Sequence, residues 1–110
     1  MKKVNILGTE WMVVESDIER DENLADNDGY CDTSIKVCVI DNMKFDEGKR
    51  DSKKDLNVYK RQVYRHEVIH AFLHESGLAS NSWALNEEMV DWLAIQFPKI
   101  LQAFKELDCL

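Results

Sequence analysis

From about Asp55 to Ser76 the chain keeps a helical period without a break, and this stretch constrains the fold more than any other. Leu56, Tyr59, Val63, His66, His70 and Leu73 recur at the 3.6-residue spacing of one helix face. Ser52 or Asp55 can cap its start, and Gly77 stands where a C-terminal cap glycine belongs. The rest of the 110 residues, one domain's worth, has to be arranged around this helix.

Before it the pattern is that of strands. Val4, Ile6, Trp11 and Val13 alternate with polar or small residues, and Gly8-Thr9 offers a bend between two short strands within Val4 to Glu15. Asp17 to Gly29 is acidic and poor in apolar residues, which predicts a surface loop with room for a short helical turn. Ile35 to Ile40 is β-branched and ends at Asp41-Asn42, the best strand in the chain. Asp46 to Lys54 is a second polar connection. After the long helix, Ser80, Asn81 and Ser82 offer caps for a second helix to about Phe97, where Pro98 breaks it or opens a third. Ile100, Leu101, Phe104 and Leu107 continue the helical period. Strands first and helices after predict an α+β fold, with the helices packed on a small antiparallel sheet and residues 1–110 forming a single domain.

Charge and cysteine content narrow the function. A net charge of −7 argues against a nucleic-acid-binding surface, which needs clustered Lys and Arg. Lys49, Arg50, Lys53 and Lys54 do cluster, but Glu47, Asp51 and Asp55 interleave with them, as in a solvated loop and helix start. An apolar share of 45% with 32% charged residues suits a soluble globular protein, and no run approaches a membrane span. The apolar run at Val4 to Leu7 is too short for a signal peptide. Cys31, Cys38 and Cys109 form no Cys-x-x-Cys pair, which predicts free thiols in a reducing cytoplasm.

The chemistry concentrates at His66-Glu67-Val68-Ile69-His70, an H-E-x-x-H pattern inside the predicted helix. Histidines four apart share one face, so both imidazoles can reach one ion. Glu67 sits beside them as a candidate general base for a water on that ion. His74, eight residues after His66, lies about 12 Å further along an unbroken helix and cannot share the ion. No histidine follows, so a third ligand has to be a carboxylate, and Asn86-Glu87-Glu88-Met89-Val90-Asp91 supplies candidates.

Here Asn86, Glu87 and Asp91 resemble the Asn-Glu-x-x-x-Asp of thermolysin-like zinc peptidases, whose third ligand is a glutamate. The resemblance implies that Glu87 is that ligand and that Asp91 orients a ligand histidine, His66. Glu88 points about 100° away around the helix. The segment His66 to Leu78, and Glu87 to Ala94 followed by Phe97-Pro98, are similar to the short bacterial and phage metallopeptidases of the ImmA/IrrE type, with Leu93 in place of Phe. The resemblance spans about residues 29 to 98. It implies a gluzincin-like domain holding one zinc ion and a cytoplasmic endopeptidase of phage or prophage kind. It also implies a protein substrate, such as a repressor; charge and hydropathy, as above, predict no nucleic-acid or membrane partner. On this reading water on the zinc attacks the amide, Glu67 takes its proton, and an edge strand around Val37 to Ile40 pairs with the peptide. The oxyanion-stabilising Tyr or His of thermolysin-like enzymes has no counterpart after Glu87, leaving Tyr30, Tyr59 and Tyr64 as substitutes. Trp11, Trp83 and Trp92 are read as core or rim packing. The alternative is a zinc-stabilised module that binds a protein without cutting it.

Overall fold

The computed structural model describes residues 1–46, 54–78 and 82–110. Its strands are β1 (Lys2–Ile6), β2 (Thr9–Ser16), β3 (Gly29–Asp32) and β4 (Val37–Asp41), followed by helices α1 (Leu56–Glu75) and α2 (Glu87–Glu106). Short 3-10 turns occupy Glu22–Leu24 and Trp83–Leu85.

The sheet order is β1-β2-β4-β3, and the sheet is mixed. β1–β2 and β3–β4 are antiparallel hairpins, but β2 and β4 run parallel, Met12 facing Val37 and Ser16 facing Asp41. This corrects the all-antiparallel expectation. The acidic loop after β2 carries the chain past one strand position, and β4 returns into the gap. Asp17 shapes the start of that loop. Its buried carboxylate accepts from the backbone N–H of Glu19 and Arg20, the Arg20 guanidinium at 2.8 Å and the Asn42 amide.

In the first hairpin, Leu7 and Gly8 both adopt positive φ, 51° and 92°, the demand of a two-residue turn whose twist matches its strands. The bend therefore falls one residue earlier than Gly8-Thr9. The strand expected at Ile35 to Ile40 begins at Val37 instead. Lys36 has φ 58° and Ile35 is largely exposed, because both belong to the turn that folds β4 back on β3.

Residues alternate across the pleat, so Ile6, Trp11, Val13, Cys38 and Ile40 share the buried face, and Val63 and Ala71 of α1 close over them. Asp55 caps α1, its carboxylate accepting from Val58 N–H at 3.1 Å. At the other end Gly77 N–H bonds the carbonyl of His74 and Leu78 N–H that of Leu73, with Gly77 at φ 89°: a Schellman closure. Of the proposed starts for the second helix, Ser80 and Asn81 lie outside the described residues, as do Ser52, Lys49, Arg50 and Lys53. Ser82 caps the 3-10 turn, and Asn86 caps α2 itself, accepting from Met89 N–H at 3.0 Å.

Pro98 neither breaks α2 nor opens a third helix; it lies inside it. A proline there leaves the carbonyl four residues back without its N–H, at a cost of about 3 kcal/mol. That carbonyl belongs to buried Ala94, and Nε of Arg65, on α1, donates to it at 2.6 Å. The helix survives its proline because its neighbour supplies the missing donor.

Candidate metal centre

α1 carries His66 and His70 one turn apart, and α2 packs across it so that its first turn faces them. Nε2 of His66 lies 2.9 Å from one carboxylate oxygen of Glu87, and Nε2 of His70 lies 2.9 Å from the other. The two Nε2 atoms are 3.1 Å apart, with the rings edge to face. Oδ1 of Asp91, one turn further along α2, sits 2.6 Å from the outer nitrogen of His66, Nδ1. The structure thus brings together His66, His70, Glu87 and Asp91. Glu88 makes no contact with the histidines among the described residues.

These separations permit a test of what the cluster can hold. With Nδ1–H of His66 donating to Asp91, Nε2 presents a lone pair toward the Glu87 carboxylate. Two acceptors at 2.9 Å repel each other unless a proton or a cation lies between them. Burial pushes the His70 pKa down, which favours the neutral imidazole a metal requires. Donors about 2.0–2.2 Å from a tetrahedral zinc ion stand about 3.3–3.6 Å from one another, so the 2.9–3.1 Å separations here need open by only about 0.2–0.7 Å. Two imidazoles and a carboxylate, with a second carboxylate behind one imidazole, fit a divalent cation.

Glu67 points into the same place from beneath. It is 6% exposed, with Oε2 4.0 Å from Nε2 of His66. The ligand atoms of His66, Glu67 and His70 all lie within 4.8 Å of one another. Burial pushes the Glu67 carboxyl up to about 7, opposed by His66 and by the Cys31 thiol, which donates toward Oε1 at 3.6 Å. A carboxyl so placed can take up and release a proton near neutral pH.

A cleft of about 740 Å³ opens over these residues, its walls including Gly29, Tyr30, Tyr59 and Leu85. Gly29, in β3, went unnoticed in the sequence, yet it sets how closely the sheet approaches α1. A Cβ there would stand 3.0 Å from Cγ of Glu67 and from the Val39 carbonyl oxygen, and 3.1 Å from a Val63 methyl. The edge strand expected at Val37 to Ile40 is likewise displaced: β4 is interior, and β3 forms the edge beside the cleft.

His74 stands apart from the cluster. Its Nε2 is 3.4 Å from Lys36 Nζ and its ring lies edge-on to Trp11, while Nδ1 is buried without a hydrogen-bond partner among the described residues. The three tyrosines each bond a carboxylate: Tyr30 donates to Asp21, Tyr59 to Asp28, and Tyr64 to Glu15 at 2.5 Å. Burial and Asp28 raise the Tyr59 pKa, and burial with Glu15 pushes Tyr64 up to about 12. Trp11 is fully buried, whereas Trp83 and Trp92 remain about half exposed on the α2 side. No helix among the described residues is long and apolar enough to cross a membrane. Compared with known proteins, the chain matches no family model, no curated protein and no solved structure.

Proposed function

We propose that this protein is a zinc-dependent endopeptidase of minimal gluzincin-like, ImmA/IrrE-type design, acting on a protein partner. The observation that carries the reading is the convergence of His66, His70 and Glu87 from two helices, with Asp91 behind His66 and buried Glu67 alongside. A bound zinc ion would supply Lewis-acid chemistry, polarising an amide carbonyl and making water nucleophilic near neutral pH. His66, His70 and Glu87 would hold it. Glu67 would take the proton of the attacking water and return it to the departing amine. Asp91 would keep His66 in the tautomer that offers Nε2. The edge of β3, unpaired among the described residues, runs along the cleft, and an extended peptide could add to it as a further strand.

The experiment measures metal and cleavage together. The parent should hold one zinc per chain and cut a partner protein, for which a phage-type repressor is the first candidate. Glu67→Gln should keep the zinc and the partner but cut at least ~10²-fold more slowly, since general-base catalysis supplies that much or more. His66→Ala should lose the metal. A parent without metal, or Glu67→Gln cutting at the parental rate, would overturn the reading.

One observation favours a second reading. Tyr30, Tyr59 and Tyr64 each already donate to a carboxylate, so an oxyanion donor would have to be released from its partner. In a zinc-stabilised binding module, no protein is cut while parent and Glu67→Gln bind one partner equally.

A further inference from the structure

Beside and behind the cleft wall lies a pair of thiols that the proposed chemistry does not use. Cys31 and Cys38 lie directly opposite each other in the antiparallel β3–β4 pair. Their place in the ladder is fixed by the bond from Asp41 N–H to the Asp28 carbonyl at 2.8 Å, which makes positions 28 and 41 a hydrogen-bonded pair. Such pairs alternate with non-hydrogen-bonded ones, so 29/40 is open, 30/39 bonded and 31/38 open. Open positions bring Cα atoms to about 4.5 Å, with side chains at their closest, inside the span a disulfide bridges. The two Sγ atoms are already 3.2 Å apart, on the same face of the sheet. Cys31 lines the cleft and is partly accessible, whereas Cys38 is fully buried behind it.

We infer that Cys31 and Cys38 are a redox-modification site, closing to a reversible intramolecular disulfide when a peroxide enters the cleft. The sulfur of Cys31 takes one hydroxyl from the peroxide as the O–O bond breaks, and the other oxygen leaves as water with the Cys31 proton. Cys38 then attacks that sulfur, the S–O bond breaks, and a second water leaves with the Cys38 proton. Two thiols are oxidised to one disulfide, and one hydrogen peroxide is reduced to two waters. The order of attack follows from accessibility: the partly accessible member is oxidised and the buried one resolves it. Contact with Cys38 and burial push the Cys31 thiol up, which slows its attack on peroxide.

The consequence reaches Glu67. Cys31 Sγ donates to the Glu67 carbonyl at 3.1 Å and toward its Oε1 at 3.6 Å, and Cys38 Sγ lies 3.7 Å from the same carbonyl. A disulfide carries no S–H, so these donors vanish together. That this would modulate a catalytic base rests on the function proposed above; the disulfide itself does not.

The test is carried out on the full chain as Cys109→Ser, because Cys109 is exposed and could link two chains. Treatment with hydrogen peroxide should give a monomer lighter by two hydrogens, about 2 Da, with both thiols lost to alkylation and restored by dithiothreitol. Peptide mapping should join the segments holding Cys31 and Cys38. With Cys38→Ser added, the mass loss should disappear and Cys31 should collect oxygen instead. If both thiols stay alkylatable, or Cys31 gains oxygen without joining Cys38 when both cysteines are present, the inference is wrong. Since mass and thiol count are read without metal or substrate, failure of the peptidase reading leaves this test standing.

Discussion

A histidine is oriented for metal binding when its other ring nitrogen is held, and Asp91 sits 2.6 Å from the outer nitrogen of His66. Replacing Asp91 with Ala should therefore weaken zinc affinity about 10–100-fold while leaving His66, His70 and Glu87 in place. Titration of the metal-free protein with zinc against a competing chelator reads this directly; an unchanged affinity would make Asp91 an ordinary helix acid. Gly29 makes the opposite kind of contribution, by what it lacks. A methyl at that position must push against the Glu67 side chain, the Val39 carbonyl and Val63, and of these the backbone oxygen can yield least. We expect Gly29→Ala to cost about 1–3 kcal/mol in urea unfolding, the range for overpacking a filled interior. An unperturbed midpoint would show that β3 can lift from α1, and so that its glycine is not what sets the depth of the cleft.

Elements were legible in proportion to how local their causes are. α1 could be read almost to the residue, because Asp55, the apolar period and Gly77 all act within a turn of where they stand. The histidine pair of the candidate metal centre was legible for a related reason, since four-residue spacing on a helix translates directly into geometry; Glu87 and Asp91 were read from a family resemblance, and they do lie 2.9 Å and 2.6 Å from those histidines. The parallel pairing of β2 with β4 was not, since it depends on where a long loop re-enters the sheet. Nor was β3, a short edge strand containing Gly29 and Asp32, both poor strand formers. The continuity of α2 through Pro98 was hidden most completely, because its cause, Arg65, is on another helix. That cause can be tested by a double-mutant cycle. Arg65→Met leaves the buried Ala94 carbonyl unsatisfied and should cost about 1–3 kcal/mol. In a Pro98→Ala background, residue 98 regains its N–H, the carbonyl is served within the helix, and the same Arg65 substitution should cost much less. Equal costs in both backgrounds would mean that Arg65 supports α2 by some contact other than this bond.

At the scale of the whole molecule, the sheet and the end of α1 are joined by one carboxylate. Glu75 accepts from the indole N–H of Trp11 at 2.8 Å and from the Thr9 hydroxyl at 3.1 Å, both in β2, and pairs with Lys36 of the β3–β4 turn at 3.1 Å. Three segments far apart in sequence thus meet on one side chain. The hydrogen bond from Trp11, then that from Lys36, hold the Glu75 carboxyl below the usual carboxylate range. A carboxyl whose pKa falls on folding binds its proton more readily when unfolded, so stability rises with pH wherever the unfolded chain is the more protonated. The contribution of Glu75 is accordingly complete above its unfolded pKa, near 4.5, and is lost as pH falls through the lower folded value. Glu75→Gln keeps the shape but removes the charge and one strong acceptor. The variant should be less stable than the parent at neutral pH, and the gap should narrow steadily below about pH 4.5 as the parent's own carboxylate is protonated. Urea unfolding followed by tryptophan fluorescence across that pH range measures both curves. A gap that stays constant down to the acid limit would show that Glu75 contributes through packing alone, and that the union of β2, the β3–β4 turn and α1 does not depend on its charge.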